Sequence, residues 1–358
     1  MAEKTGTLQL SDLMAARFTN TNAAAFGLDD LADVVQRDLE THNALMEEAL
    51  TGGAAPIAER STDRQRLAGT STRRELVELD EYGRAPTKKT KPGQTVGFPL
   101  KRYGAATGWT RDWMLKASVV ELARKALEVQ QAHRIKVLTE MKRALFVSAN
   151  YNFADDLEDG ITLAVKRLVN ADSALIADGP NGEVFDGATH THYTAAATLV
   201  DADLLAAVNL VVEHGHGGSV KLAIARADEA AVSALGSFKA YVDVRLTPGT
   251  EADKPLGTRL NPSRLDNRAI GLFGAAEVWV KPWAIANYAL IWDSSDMLPL
   301  VMREEEQEAL RGLQLIAEID AHPMTAEYWE ARFGFGVWNR TNGAIHQFSN
   351  GTYQDPTI

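Results

Sequence analysis

Two histidine pairs carry the residue types best suited to hold a metal ion. His190-Thr191-His192 and His214-Gly215-His216 share the H-x-H spacing, which on a strand turns both imidazoles to one face. Zinc accepts three or four such ligands. The spacing places no third ligand beside either pair, and each pair falls beside a predicted helix end. Packing, capping or surface roles are therefore expected, and no metal is assigned. The acidic run Asp155, Asp156, Glu158 and Asp159 offers carboxylates for calcium, but it lacks the spacing and terminal bidentate glutamate of an EF-hand loop. It reads as a solvated turn. Glu304-Glu305-Glu306 reads as a helix start or an exposed charged face.

Other chemistry is not encoded in recognisable form. Gly215-His216-Gly217-Gly218 and Gly271-Leu272-Phe273-Gly274 fit neither the dinucleotide fingerprint nor the phosphate loop. No G-x-S-x-G elbow occurs, and no Ser/His/Asp set can be assembled by spacing. Cysteine is absent, which removes thiolate nucleophiles, disulfides and cysteine-based zinc sites. No catalytic residue and no cofactor are expected. The most suggestive charges are Lys88, Lys89 and Lys91, between Pro86 and Pro92. They read either as a soluble, flexible tip or as a contact for acidic residues of a neighbouring subunit. One exposed ion pair contributes at most ~1 kcal/mol, but a symmetric assembly repeats it in every copy.

The elements that position these residues follow from patterning. Residues 73–109 read as an extended hairpin with its tip at 87–93, carrying Leu76, Val77 and Leu79, then Val96, Phe98, Leu100 and Tyr103. Residues 112–148 read as one long helix, capped by Thr110 or Asp112. Leu115, Val119, Leu122, Ala126, Val129, Ile135, Leu138, Met141 and Leu145 recur at three- and four-residue steps. At ~1.5 Å per residue that is a rod of roughly 50 Å. A polar hairpin joined to such a helix buries little core of its own, so it is expected to lie on a neighbouring subunit. This points to self-assembly rather than catalysis.

Upstream, helices are expected over 8–18 and 28–50, the latter ended by Gly52-Gly53. Residues 54–72, with Arg60, Arg64 and Arg66, read as a polar arm. Downstream, 160–169 is a strand or short helix, and 178–182 is a turn. From Asp201 the style becomes α/β: a helix stopping at Gly215, a buried strand over 220–225, a helix over 227–235, a strand over 241–246, a polar loop over 247–267 and β-formers over 269–292. Strands close the chain over 310–319 and 328–348. Trp329, Ala331, Phe333, Phe335 and Val337 share one face, and Asn342-Gly343 signals a hairpin turn.

Composition sets outer bounds. The 358 residues are 45 % hydrophobic with a net charge of −11. That acidity argues against tight binding of nucleic acid over a large surface, while leaving room for sparse local contact with DNA. No run approaches the ~18 apolar residues of a membrane span, and no signal peptide is visible, so a cytoplasmic origin is expected.

The order arm, extended hairpin, long helix, strand-rich segment, α/β segment and final strands resembles the HK97-fold major capsid proteins of tailed double-stranded DNA bacteriophages. Residues 332–340, Arg-Phe-Gly-Phe-Gly-Val-Trp-Asn-Arg, look like the terminal strand of the family's peripheral (P) domain. Ile270-Gly271-Leu272-Phe273-Gly274, leading into Val278-Trp279-Val280, look like late strands of its axial (A) domain. The resemblance implies an α+β, HK97-like capsid fold: N-terminal arm 1–72, E-loop 73–111, P domain 112–200 with spine helix 112–148, A domain 201–303 and a return to the P domain over 304–358. It implies a non-enzymatic subunit that assembles as pentamers and hexamers into an icosahedral shell around double-stranded DNA. The shell would be made in the host cytoplasm, with a separate scaffolding protein, a portal and a possible decoration protein as partners and no membrane. Some members of the family crosslink an E-loop lysine to a neighbour's asparagine; Asn339 and Asn342 are present, but no spacing pairs them with the lysines. Two alternatives are an encapsulin-type nanocompartment, which the long arm disfavours, and a soluble metal-dependent enzyme using the histidine pairs.

Overall fold

The computed structural model describes residues 37–44, 46, 50, 55–67, 76–79, 81–84, 87, 93–169, 172–174, 176, 178–187, 189–241 and 267–358. The expected helix over 8–18, the lysines 88, 89 and 91, and nearly all of the expected strand 241–246 and loop 247–267 lie outside the described residues.

After a helical segment over 37–44, the first half of the chain carries β1 (Ala58–Ser61), β2 (Gln65–Leu67), β3 (Thr95–Gly97), β4 (Lys101–Thr110), α1 (Arg111–Lys116), α2 (Val119–Phe146), β5 (Tyr151–Ala154), β6 (Thr162–Val165) and β7 (Tyr193–Ala195). The second half carries α3 (Asp201–Val212), β8 (Val220–Ile224), α4 (Glu229–Ser233), β9 (Phe238–Ala240), β10 (Arg268–Phe273), β11 (Ala276–Val280), β12 (Tyr288–Asp293), β13 (Leu300–Glu304), β14 (Leu313–Ala321), β15 (Met324–Val337) and β16 (Ala344–Gln347). Two main sheets result. One runs β1-β13-β15-β14, with β4 also on β15; the other runs β7-β16-β12-β8-β11-β10-β9.

The helix expected over 112–148 is two helices. Thr110 caps α1 by accepting from the Trp113 amide. The chain then turns extended at Ala117 and Ser118, and α2 begins with a capping box. Ser118 accepts from the Glu121 amide, and Glu121 accepts from the Ser118 amide. The S-x-x-E signal outweighed the apolar periodicity that ran across it. Val120, Ala123, Ala126, Val129, Val137, Met141, Ala144 and Leu145 form the buried side of α2, whereas Leu115 and Ile135 face outward.

Part of the hairpin expected over 73–109, including most of its tip, lies outside the described residues. Among the described residues, 76–79 have no strand partner, and β3 pairs with β2. β4 lies antiparallel on β15 from Lys101↔Phe333 to Thr110↔Met324. The segment also buries more than expected: Val96, Phe98 and Leu100 are all in the interior. The sheet makes room for them with two glycines of β15. A Cβ at Gly334 would run into the Pro99 backbone, and one at Gly336 would sit 2.8 Å from the Phe98 ring. Residues 55–67 of the expected arm over 54–72 are likewise built in. β1 lies parallel to β13, and the Trp292 indole donates to Pro56 O at 2.7 Å.

The second sheet separates two cores by strand alternation. Leu222, Ile224, Ala289 and Ile291 face α3, whose Leu204, Ala207, Val208 and Val211 are buried there. Ala223, Leu290 and Trp292 face the other way, toward α2 and the first sheet. β8 is buried at every position, as a strand covered on both faces must be. Two boundaries shift relative to the sequence reading. β13 joins the first sheet, not the segment 201–303 that feeds the second. Asn342-Gly343 does not close a hairpin: β16 leaves β15 and pairs with β12 and β7.

Candidate functional site

The end of the first sheet is an arm built from β4, β14 and the first half of β15. β15 is the middle strand there, with β14 on one side and β4 on the other. Its second half, from Trp329 onward, is almost entirely buried, and Trp329, Ala331, Phe333, Phe335 and Val337 share the interior face as the alternation predicts. Its first half is not covered. In β14 every residue from Leu315 to Ala321 is exposed, and in β4 Gly104, Ala105 and Ala106 are exposed in succession. Consecutive residues on a strand point to opposite faces, so β14 and the middle of β4 are bare on both, while Trp109 at the end of β4 is buried beside Trp113 of α1. Ile316 is the extra residue of a β-bulge between Leu315 and Ala317. Leu315, Ile316, Ile319, Met324 and Tyr328 place apolar surface outside. β4 and β14 are also free edges among the described residues. Burial and neighbouring Glu318 raise the Glu327 carboxyl above the ordinary range. The sequence signal is the broken alternation of Leu313, Leu315, Ile316 and Ile319, which patterning alone reads only as strand.

The acidic run is a turn with Asp156, Glu158 and Asp159 exposed as expected, but its first carboxylate, Asp155, is fully buried. Arg303, almost fully buried on β13, donates to Asp155 at 2.8 Å, to Glu158 at 2.5 Å and to Phe98 O at 3.0 Å. Arg64 joins from the arm, with its Nε 2.9 Å from Asp155 and its guanidinium on Asp159. That hydrogen bond holds the Asp159 carboxyl down at about 2. The loop is thus a lock between β5, β13 and the segment after β1. Glu304 is not a helix start either: it ends β13, buried, with Arg60 2.6 Å away. Asn342 is fully buried and donates to the carbonyls of Asp293 and Met297 at 2.9 Å each, so it is not an available crosslinking partner.

Three of the four candidate histidines meet. His190 Nε2 lies 2.9 Å from His214 Nε2, and His192 Nε2 lies 3.0 Å from the same atom. The third ligand that spacing did not supply comes from the turn after α3, closed by Gly215 at φ +90. His216 parts from His214 there and instead contacts Asp296 at 2.6 Å and Thr341 at 3.0 Å. Phe185 packs against His190 and His214. Burial, then the neighbouring histidines, hold His192 well below its ordinary pKa. The same causes bring His214 to about 4, and burial lowers His190. Sequence reasoning missed Glu213, whose buried Oε1 has no hydrogen-bond partner and lies 3.4 Å from His190 Nε2.

Solved structures share this architecture. A chain from Mycobacterium phage Patience is 18 % identical, with a TM-score of 0.66 over 98 % of this chain and 94 % of that one. The likeness shows a common fold, in agreement with the capsid-type fold read from the order of elements. More distant matches are the capsid of a native GTA particle, 13 % identical with TM-score 0.46 over 86 % and 91 % of the two chains, and the mature capsid of bacteriophage PhiM1, 10 % identical with TM-score 0.43 over 82 % and 85 %. No family model and no curated protein matches the sequence. No described helix is long and apolar enough to cross a membrane.

Proposed function

We propose that this chain is the major capsid protein of a tailed double-stranded DNA bacteriophage, a structural subunit that assembles as pentamers and hexamers into an icosahedral shell around the genome. The observation that carries the reading is the arm of β4, β14 and β15. Among the described residues, an outer strand exposed on both faces and two unpaired sheet edges leave apolar surface suited to cover by another chain. A closed symmetric assembly covers it while repeating each contact. The fold shared with a phage chain over nearly the full length of both supports the same reading.

In this reading α2 is the spine helix, and β4 with the residues before it is the E-loop. The first sheet and α2 form the P domain, and the second sheet with α3 and α4 forms the A domain. Residues 1–72 act as the N-terminal arm, with 55–67 anchored in the subunit's own sheet. Lys88, Lys89 and Lys91 remain proposed contacts to a neighbouring subunit. The partners are other copies of the chain, a separate scaffolding protein, a portal, a possible decoration protein and, weakly, packaged DNA. The subunit works in the virion and performs no catalysis.

The test is negative-stain electron microscopy of protein purified from its expressing source, with nuclease protection on the same sample. Closed shells protecting double-stranded DNA are expected. Small discrete oligomers in the presence of a scaffold, or shells filled with protein cargo and no genome, overturn the reading.

A further inference from the structure

We propose that His190, His192 and His214, with Glu213 as fourth ligand, form a zinc site that staples β7 to the C-terminal end of α3. This goes beyond the capsid reading and does not depend on it.

The argument begins with protons. One donor nitrogen from each histidine lies within 4.8 Å of the other two. His192 Nδ1 is 2.9 Å from the Gly343 carbonyl. A carbonyl only accepts, so Nδ1 carries the proton and Nε2 turns a bare lone pair toward His214. The contact to His214 then requires a proton on His214 Nε2. That same nitrogen is 2.9 Å from His190 Nε2, which must therefore also be bare to avoid two N–H groups meeting. Yet His190 Nε2 also faces the Glu213 carboxylate oxygen at 3.4 Å, and that oxygen is buried with no hydrogen-bond partner. No arrangement of neutral tautomers satisfies all three contacts. A cation at the centre does, because every nitrogen then presents a lone pair and the carboxylate gains a positive partner.

The donor set is that of zinc: three imidazoles and one carboxylate. Tetrahedral zinc, with Zn–N ~2.0–2.1 Å, spaces its nitrogens about 3.3 Å apart, so the two contacts to His214 need to open by only a few tenths of an ångström, while His190 and His192 already lie within 4.8 Å of each other. The hydrogen bond from His192 to Gly343 O is the outer-shell contact that fixes a metal-binding tautomer. Glu213 and His214 directly follow α3, where the helix dipole favours a cation. Arg340, the cation that acts on His190 and His192, is held by Asp172 at 3.0 Å. The site has a mechanical use. β7 is a three-residue edge strand that, among the described residues, pairs with β16 alone, and the metal would tie the residues leading into it to the helix that covers the sheet.

The test measures metal content of the full chain by elemental mass spectrometry after exposure to zinc chloride and removal of free ion. Visible spectra of the cobalt-loaded protein accompany it. About one zinc per chain is expected, with the intense visible bands of tetrahedral cobalt. His190→Ala, at a half-buried position, loses the metal and the bands, whereas His216→Ala keeps both. Wild-type protein that retains no zinc, a six-coordinate cobalt spectrum, or equal zinc retention by His190→Ala and wild type would each overturn the proposal. The wild-type spectrum decides the matter even if a variant fails to fold.

Discussion

The seven-stranded sheet and the β4/β14/β15 arm are built from similar strands and end in opposite situations. The sheet has α3 on one face and the shared core on the other, and its central strand β8 is buried at all five positions. The arm leaves its core at about Trp329, and its outer strand β14 continues exposed on both faces among the described residues. A strand satisfies its backbone through its neighbours, but its side chains need a layer above or below. The first region contains that layer within the chain. The second leaves it to be supplied from outside. Truncations in the two regions should therefore be read out by different measurements.

The largest effect belongs to the lock at the base of the arm. Arg303→Leu removes the more buried of the two guanidiniums on Asp155 and leaves Arg64 alone to offset that charge. A loss of about 3 kcal/mol, the low end for a buried pair losing one partner, is expected, measured by urea unfolding of the unassembled subunit. A fully stable Arg303→Leu variant would show that the lock is dispensable. Next, Leu222→Ala in the covered sheet should cost ~2–5 kcal/mol in the same assay. A comparable buried group acts through pH. Burial holds His133 at about 4, below its ordinary 6.5. Its contribution is complete above the unfolded pKa, is lost as pH falls from 6.5 toward 4, and changes no further below that. The loss amounts to about 3 kcal/mol, and His133→Gln should flatten that part of the stability profile. Ser118→Ala removes the cap at the break before α2 and should cost ~1 kcal/mol.

The smallest effect on the isolated subunit is the most telling for assembly. Ile319→Ala on the arm should change subunit stability by no more than ~0.5 kcal/mol. Ile316→Lys with Ile319→Lys should leave the circular dichroism spectrum unchanged while abolishing shells in electron micrographs. If both arm variants assemble normally, the arm is not the contact surface and the contrast between the two regions loses its meaning.

Much of the fold was legible because local chemistry and tertiary packing agreed. The alternation of Trp329, Ala331, Phe333, Phe335 and Val337 located the buried half of β15. Leu204, Val208 and Val211 at helical spacing located α3. Ser118 and Glu121 marked the break that periodicity missed. The histidine site was half legible: the H-x-H pair 190/192 was visible as a pair, but its completion by His214 and Glu213 depended on a turn bringing together residues more than twenty positions apart.

Periods of two and near four are properties of one segment, set by how a strand or helix presents consecutive side chains to a single face. For that reason the chain's patterning was enough to place many of the strands and helices. Partnership between segments is a different quantity. That Arg303 is satisfied by Asp155 and Glu158, that β4 chooses β15 over its own upstream residues, and that three imidazoles point at one another all depend on long-range closure. There the free energy of burying a charge, a sheet edge or a lone pair depends on what arrives from elsewhere in the chain.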